Sequence, residues 1–375
     1  MIMPTTRREF LAGTAAASCA ASLGLSPRPE PEGFQAQGRA ALDVLILGGT
    51  GFIGPHIVRS LQAKGHKVTL FNRGRTNAHL FPDVEKLVGD RNDNLTALEG
   101  RKWDAVIDNA RQNPRWVRDS AQLLKDNAGC YLFTSTRSAY HSDFTEIGMD
   151  EDSPLTEVDP AWVDDVDKRL SYGQGKVLCE MEVRKAFPVD HVVVRPGLIV
   201  GPGDDTDRFS YWPIRAHRGG EVLAPGDPTN PVMIIDARDL ANFYVTLLEN
   251  GTRGVYNGLG PESPLSFAEM LYACRAITTG PIEFTWVDAD FLLERRVREY
   301  SHMPCWRIAR GRTAGFQRFD LSRPLAAGIT YRPLAVTAKD TLDFHLSRTL
   351  ERQANLKAGI TAEREAELLA AWHGR

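Results

Sequence analysis

The chain has 375 residues, 42% apolar and 25% charged, the composition of an ordinary globular protein with room for one large domain or two modest ones. A net charge of -3 supplies no basic face or tail for nucleic acid. Five scattered cysteines, Cys19, Cys130, Cys179, Cys274 and Cys305, lack metal-site or disulfide-framework spacing and read as buried thiols.

In chain order, the first segment reads as a leader. Arg7 and Arg8 give a positive end, Phe10 to Leu25 is a mildly apolar Ala-rich run, and Ser26-Pro27-Arg28-Pro29 breaks any helix. The run is too short and too mild for a stable membrane span, which needs ~20 strongly apolar residues. Thr6-Arg7-Arg8-Glu9-Phe10-Leu11 resembles the twin-arginine export signal, against the plainer reading of a basic N-terminus. The resemblance implies the twin-arginine export machinery as a partner, cleavage near Ala21 and a periplasmic or extracellular location. Residues 27 to 40, rich in Pro, Glu, Gly and Gln, read as a linker.

From Leu42 short apolar runs alternate with helix-length segments. Runs at Asp43–Leu47, Lys67–Phe71, Lys86–Val88, Ala105–Ile107, Tyr131–Phe133 and His191–Val194 predict strands, and Ser171–Ala186 predicts a long helix. That alternation predicts an α/β fold, a doubly wound parallel sheet covered on both faces. Beyond Arg195, prolines at 196, 202, 213, 225, 228 and 231 point to loops and a smaller lobe. Thr361–Trp372 predicts an amphipathic helix. The expected organisation is signal and linker over 1–40 and a dinucleotide domain over 41–200, with 230–260 returning to it. A substrate lobe follows over 201–229 and 261–345, and a helical tail over 346–375.

The chemistry concentrates at a few places. Gly48-x-x-Gly51-x-x-Gly54 lies between a strand and a helix, where glycines let the backbone reach a pyrophosphate at the helix N-terminus. Thr50, Phe52 and Ile53 lie within this loop as further cofactor contacts, and Pro55 suits the helix start. The second strand ends Asn72-Arg73-Gly74-Arg75, with no carboxylate for a ribose 2′-hydroxyl. Arg73 and Arg75 match a 2′-phosphate instead, which favours NADP over NAD, the alternative being solvated surface arginines. Asp90 is placed to reach the adenine amino group, and Asn109, Ala110 and Pro196 complete the expected cofactor contacts. Tyr172 and Lys176 stand four apart on one helical face, where an ammonium beside a phenol lowers the pKa of the phenol. Thr136, at the end of the fifth strand, is the companion hydroxyl.

Residues 42 to about 260 resemble the NAD(P)-dependent epimerase/dehydratase family, the extended short-chain dehydrogenase/reductases. The resemblance implies a Rossmann-type doubly wound sheet with a smaller C-terminal substrate-binding lobe, and homodimers. By motif, Thr136, Tyr172 and Lys176 fall on the family's catalytic residues, and Arg195-Pro196-Gly197 through Gly201-Pro202 on its sixth-strand motif, which lines the nicotinamide and substrate mouth. Ile107-Asp108-Asn109-Ala110 departs from the His of sugar-nucleotide members. Arg137-Ser138 replaces a dehydratase's Asp-Glu pair, which disfavours loss of water. Asp205–Arg215 resembles an isoflavone-reductase-like branch, with Arg208, Tyr211, Trp212 and Arg215 as pocket residues or, alternatively, the aromatics as lobe core.

The expected enzyme moves a hydride at a secondary alcohol or ketone of a small, sugar-like substrate. An exported enzyme lacks a supply of fresh NADPH, so the cofactor is expected to be tightly held and restored each turnover, as in an epimerase. Two other readings are an NADPH-dependent reductase of an aromatic ketone and a non-catalytic nucleotide- or RNA-binding homologue. No metal site is expected, since the histidines stand alone.

Overall fold

The computed structural model describes residues 40 to 375; the twin-arginine motif, Cys19 and the linker up to residue 39 lie outside the described residues. The first half builds a sheet. β1 (Asp43–Leu47), α1 (Gly54–Ala63), β2 (Lys67–Asn72), β3 (Glu85–Val88), β4 (Ala105–Asp108), α2 (Pro114–Leu124), β5 (Tyr131–Thr134), α3 (Tyr172–Ala186) and β6 (His191–Pro196) follow in order. The chain then passes through β7 (Leu198–Val200), α4 (Tyr211–Arg218), β8 (Gly220–Pro225), β9 (Pro231–Val232) and β10 (Ile234–Asp236). It returns through α5 (Ala237–Glu249) to β11 (Gly254–Gly258). The remainder contains β12 (Leu265–Ser266), α6 (Phe267–Ala276), β13 (Ile282–Val287), α7 (Ala289–Glu294), α8 (Ser322–Ala326), α9 (Leu334–Leu346), α10 (Leu350–Ala354) and α11 (Ala362–His373).

The main sheet has seven parallel strands in the order β11-β6-β5-β4-β1-β2-β3. Strand residues point alternately to the two faces. In β1, Val44 and Ile46 therefore enter a core beneath α1 and α5, and Leu45 and Leu47 enter one beneath α2 and α3. All four are fully buried, which is why the segment reads as a continuous apolar run. The fold is the doubly wound α/β arrangement expected. Strand order reverses beside β1, which pairs with β2 on one side and β4 on the other. Open α/β sheets bind ligands at such a switch point, outside the strands' carboxyl ends.

The lobe has its own core. β8 pairs with β13 in parallel, and Phe209, Tyr211, Trp212, Phe267, Met270 and Trp306 pack beside them. The segment expected as a separate tail belongs to this core, because Leu368 and Leu369 of α11 are buried in it and Glu365 pairs with Arg215 of α4. The thiols of Cys130, Cys179, Cys274 and Cys305 are all buried and free. Among the described residues no helix is long and apolar enough to cross a membrane, and no group of three or more His, Cys, Asp or Glu side chains could hold a metal ion.

Candidate active site

Two adjoining cavities open at the carboxyl ends of the strands. The first, of about 330 Å³, is lined by Gly48, Thr50, Gly51, Asn72, Arg73, Arg75, Asp90, Arg91, Trp116 and neighbours. The second, of about 670 Å³, is lined by Phe52, Ile53, Thr136, Tyr172, Lys176, Pro196 and residues of the lobe. Asn109, Ala110 and Arg111 belong to both walls and mark where the cavities meet. Of the sequence-derived cofactor positions, only Gly54 lines neither. It is buried at the start of α1, where a Cβ would come within 2.5 Å of the Gly49 backbone, so it lets helix and loop touch.

The first cavity fits a dinucleotide. Gly48 has φ +91, a conformation glycine adopts without strain. A Cβ on Gly51 would meet nothing within 4 Å, leaving space where a pyrophosphate can approach. Asn72, Asn109, Trp116 and Arg91, which line this cavity, each also carry a buried side-chain N–H with no partner among the described residues. Arg73 and Arg75 are exposed at the rim and form no ion pair among the described residues. Asp90 caps its own turn, accepting from Asn92 N at 3.0 Å. Beneath the cavity Arg91 forms a bidentate pair with fully buried Asp108, which Tyr131 Oη also approaches at 2.6 Å. That pair holds the Asp108 carboxyl below the usual range despite burial.

The candidate catalytic set is positioned by α3. Ser171 caps the helix in a reciprocal capping box with Gln174, so Tyr172 is its first residue. Two glycines then permit close approach. A Cβ on Gly173 would lie 2.0 Å from Ser138 O, and one on Gly175 would lie 2.5 Å from Gln112 O. Helix α3 is thereby pressed against the loops that follow β5 and β4. Thr136 Oγ1 accepts from Ser138 N at 3.2 Å, which leaves its own proton to donate, and it lines the same cavity as Tyr172. Lys176 is 2% exposed and donates to Ala110 O at 2.6 Å and Thr134 O at 2.5 Å. An ammonium has three donors, so one remains for a ligand hydroxyl. Burial lowers the Lys176 pKa to about 8.

The expected direction for Tyr172 is corrected. Desolvation raises the phenol's pKa, and the influences that oppose this are the neighbouring Thr136 hydroxyl and the charges of Arg111 and Arg208. Lys176 Nζ stands 5.9 Å from the tyrosine ring centroid, with its donors turned to the two carbonyls.

The substrate residues are corrected too. Arg208 lines the second cavity, but Tyr211 and Trp212 are each 1% exposed within the lobe core, and Trp212 Nε1 donates to Pro304 O at 2.7 Å. Arg215 is buried against Glu365 at 2.6 Å. A large aromatic beside an arginine suits a core as well as a pocket, and here the lobe used three of the four for packing. Arg195, within the sixth-strand motif, likewise turns away from the cavity. It grips Glu180 of α3 at 2.7 Å, and Pro196 and Gly197 are left to line the wall. Sequence reasoning missed Arg111, Asp204, Tyr300 and Phe316, which also line this cavity. The last two lie more than 120 residues beyond Tyr172, and no local pattern marks them.

A glycine loop at the switch point of a doubly wound sheet, beside a Thr-Tyr-Lys cluster, is the arrangement of a nicotinamide-dependent dehydrogenase or epimerase fold. Residues 44–258 match the model of the NAD dependent epimerase/dehydratase family, and the chain belongs to that family. It is 27% identical over 290 residues to the epimerase family protein SDR39U1 of Bos taurus, covering 68% of this chain and 88% of that one. It is 28% identical over 268 residues to the 2'-dehydrokanamycin reductase of Streptomyces kanamyceticus, covering 68% and 72%. In fold it is similar to the Bordetella bronchiseptica enzyme WbmH, solved with NAD+, at TM-score 0.59 and 20% identity over 82% of this chain and 99% of that one.

Proposed function

We propose that the protein moves a hydride to and from a secondary alcohol or ketone of a sugar-like substrate, using NADP(H) in preference to NAD(H). The observation that carries this reading is the Thr136–Tyr172–Lys176 cluster opening onto the cavity that adjoins the glycine loop. A nicotinamide dinucleotide held by Gly48–Gly54, Asn72 and Asn109 supplies the hydride acceptor and donor. Tyr172 takes the hydroxyl proton as the alcohol becomes a ketone, and returns it on reduction. Thr136 fixes the substrate oxygen beside the phenol. Lys176 holds a ribose hydroxyl with its remaining donor and keeps a positive charge near the phenol. The unpaired Arg73 and Arg75 at the rim support recognition of a 2′-phosphate.

The leader supports export through the twin-arginine route, which carries folded proteins. A cofactor loaded beforehand and restored each turnover then favours epimerisation over net reduction. Tyr211 and Trp212 do not carry the alternative aromatic-ketone reading, because both are core residues. Two measurements on the purified full chain test the proposal. Mass spectrometry of the exported fraction is expected to find bound NADP(H) and a processed N-terminus. Tyr172→Phe is expected to lower kcat roughly 10²- to 10⁴-fold while the dinucleotide stays bound; unchanged turnover refutes the assignment.

A further inference from the structure

Among the described residues three arginines are buried: Arg137, Arg195 and Arg215, at 6%, 1% and 7% exposure. Arg195 holds Glu180 at 2.7 Å and Arg215 holds Glu365 at 2.6 Å. Arg137 has no carboxylate within 4.0 Å. A buried cation without a counter-ion is costly, and this chain pays that cost at one arginine, inside the second cavity.

The guanidinium is held in place by neutral neighbours. Nη1 donates to Phe316 O at 3.0 Å, Nη2 donates to Tyr300 Oη at 3.2 Å, and the group stacks 4.0 Å from the centroid of the Phe316 ring. Two of its five N–H donors are thus occupied and three remain in a fixed planar fork. Arg208 lines the same cavity, its Nε donating to Thr206 Oγ1 at 3.0 Å, and also lacks an ion pair among the described residues. Asp204 is the one carboxylate on this wall. It is 1% exposed, Thr206 satisfies its Oδ1, and burial raises its pKa.

The position of Arg137 identifies what the anion belongs to. It directly follows Thr136, and its Nη1 lies 4.0 Å from where a Cβ on Gly197 would sit. Neither Arg137 nor Arg208 lines the glycine-loop cavity, so the cofactor's phosphates are not their partner. Phe52, Leu198 and Ile199 add apolar surface to the same wall.

We propose that Arg137, assisted by Arg208, binds a carboxylate carried by the substrate close to the reacting alcohol, so that the site takes a hydroxy acid of the sugar-acid type. The assignment rests on the hydride-transfer reading above, which defines where the reacting carbon sits. It is tested by calorimetric titration of the NADPH-loaded full chain with D-glucuronate, D-glucuronamide and glucose 6-phosphate. The acid is expected to bind at least about tenfold more tightly than its amide, as a charge-assisted fork requires. Arg137→Met is expected to remove that difference, and Arg137→Lys to restore part of it. If Arg137→Met does not fold, Arg208→Gln is expected to reduce the preference about fivefold. Equal binding of acid and amide, no binding of the acid, or a preference that survives in the variants overturns the proposal. Tighter binding of glucose 6-phosphate overturns the carboxylate in favour of a phosphate. Binding of the acid that persists in Tyr172→Phe, with turnover unaffected by that substitution, would instead remove the hydride-transfer reading and leave an anion site.

Discussion

In the proposed mechanism Lys176 contributes one buried ammonium to the site. Burial brings its pKa to about 8, so the charge near Tyr172 is present at neutral pH and lost on the alkaline side. Carbonyl reduction needs the protonated phenol and is helped by that charge, so kcat/KM for reduction is expected to fall as pH rises through about 8. A pH–rate profile flat from about pH 7 to about pH 9.5 would contradict this role. At this scale the sequence grouped Thr136, Tyr172 and Lys176 through spacing and position, and the three line one cavity. It did not anticipate the Tyr172 environment, because that depends on Arg111 and Arg208 from separate loops. It left the aromatics of the 205–215 segment open between pocket and core, since residue type alone does not distinguish the two; Tyr211 and Trp212 are core.

At the scale of the element, α3 is a positioning device whose precision comes from what it lacks. Gly173 and Gly175 remove side chains at the two points where the helix meets the Ser138 and Gln112 carbonyls. In Gly173→Ala the new methyl would lie 2.0 Å from Ser138 O, so the helix must retreat from the turn that carries Thr136. A loss of roughly 1–3 kcal/mol in stability is expected from such overpacking. A separate fall in kcat is expected as the Thr136–Tyr172 contact opens; chemical denaturation and steady-state kinetics check the two effects. The strands of this half were legible because both faces of the sheet are covered and demand unbroken apolar runs. The lobe strands were not, because β8 and β13 pair across more than 50 intervening residues.

At the scale of the molecule, distant segments complete one another. Glu365 of α11 neutralises Arg215, 150 residues earlier, and accepts from Leu223 N at 3.0 Å. Glu365→Ala leaves that arginine buried and unpaired, an expected loss of about 3–5 kcal/mol, read as a lower urea midpoint with little change in m. An unchanged midpoint would show that Arg215 finds another partner. The same long-range construction governs the order in which the protein can be made. The main sheet is completed by β11, whose residues leave the ribosome only after those of α4, β8 and α5. Until then β6 presents an open edge of unpaired N–H and C=O groups, a template for wrong pairing between nascent chains. A fragment ending at residue 200, although it contains the glycine loop, Tyr172 and Lys176, is therefore expected to aggregate rather than fold. The dinucleotide has no finished sheet to dock against until synthesis has passed Gly258.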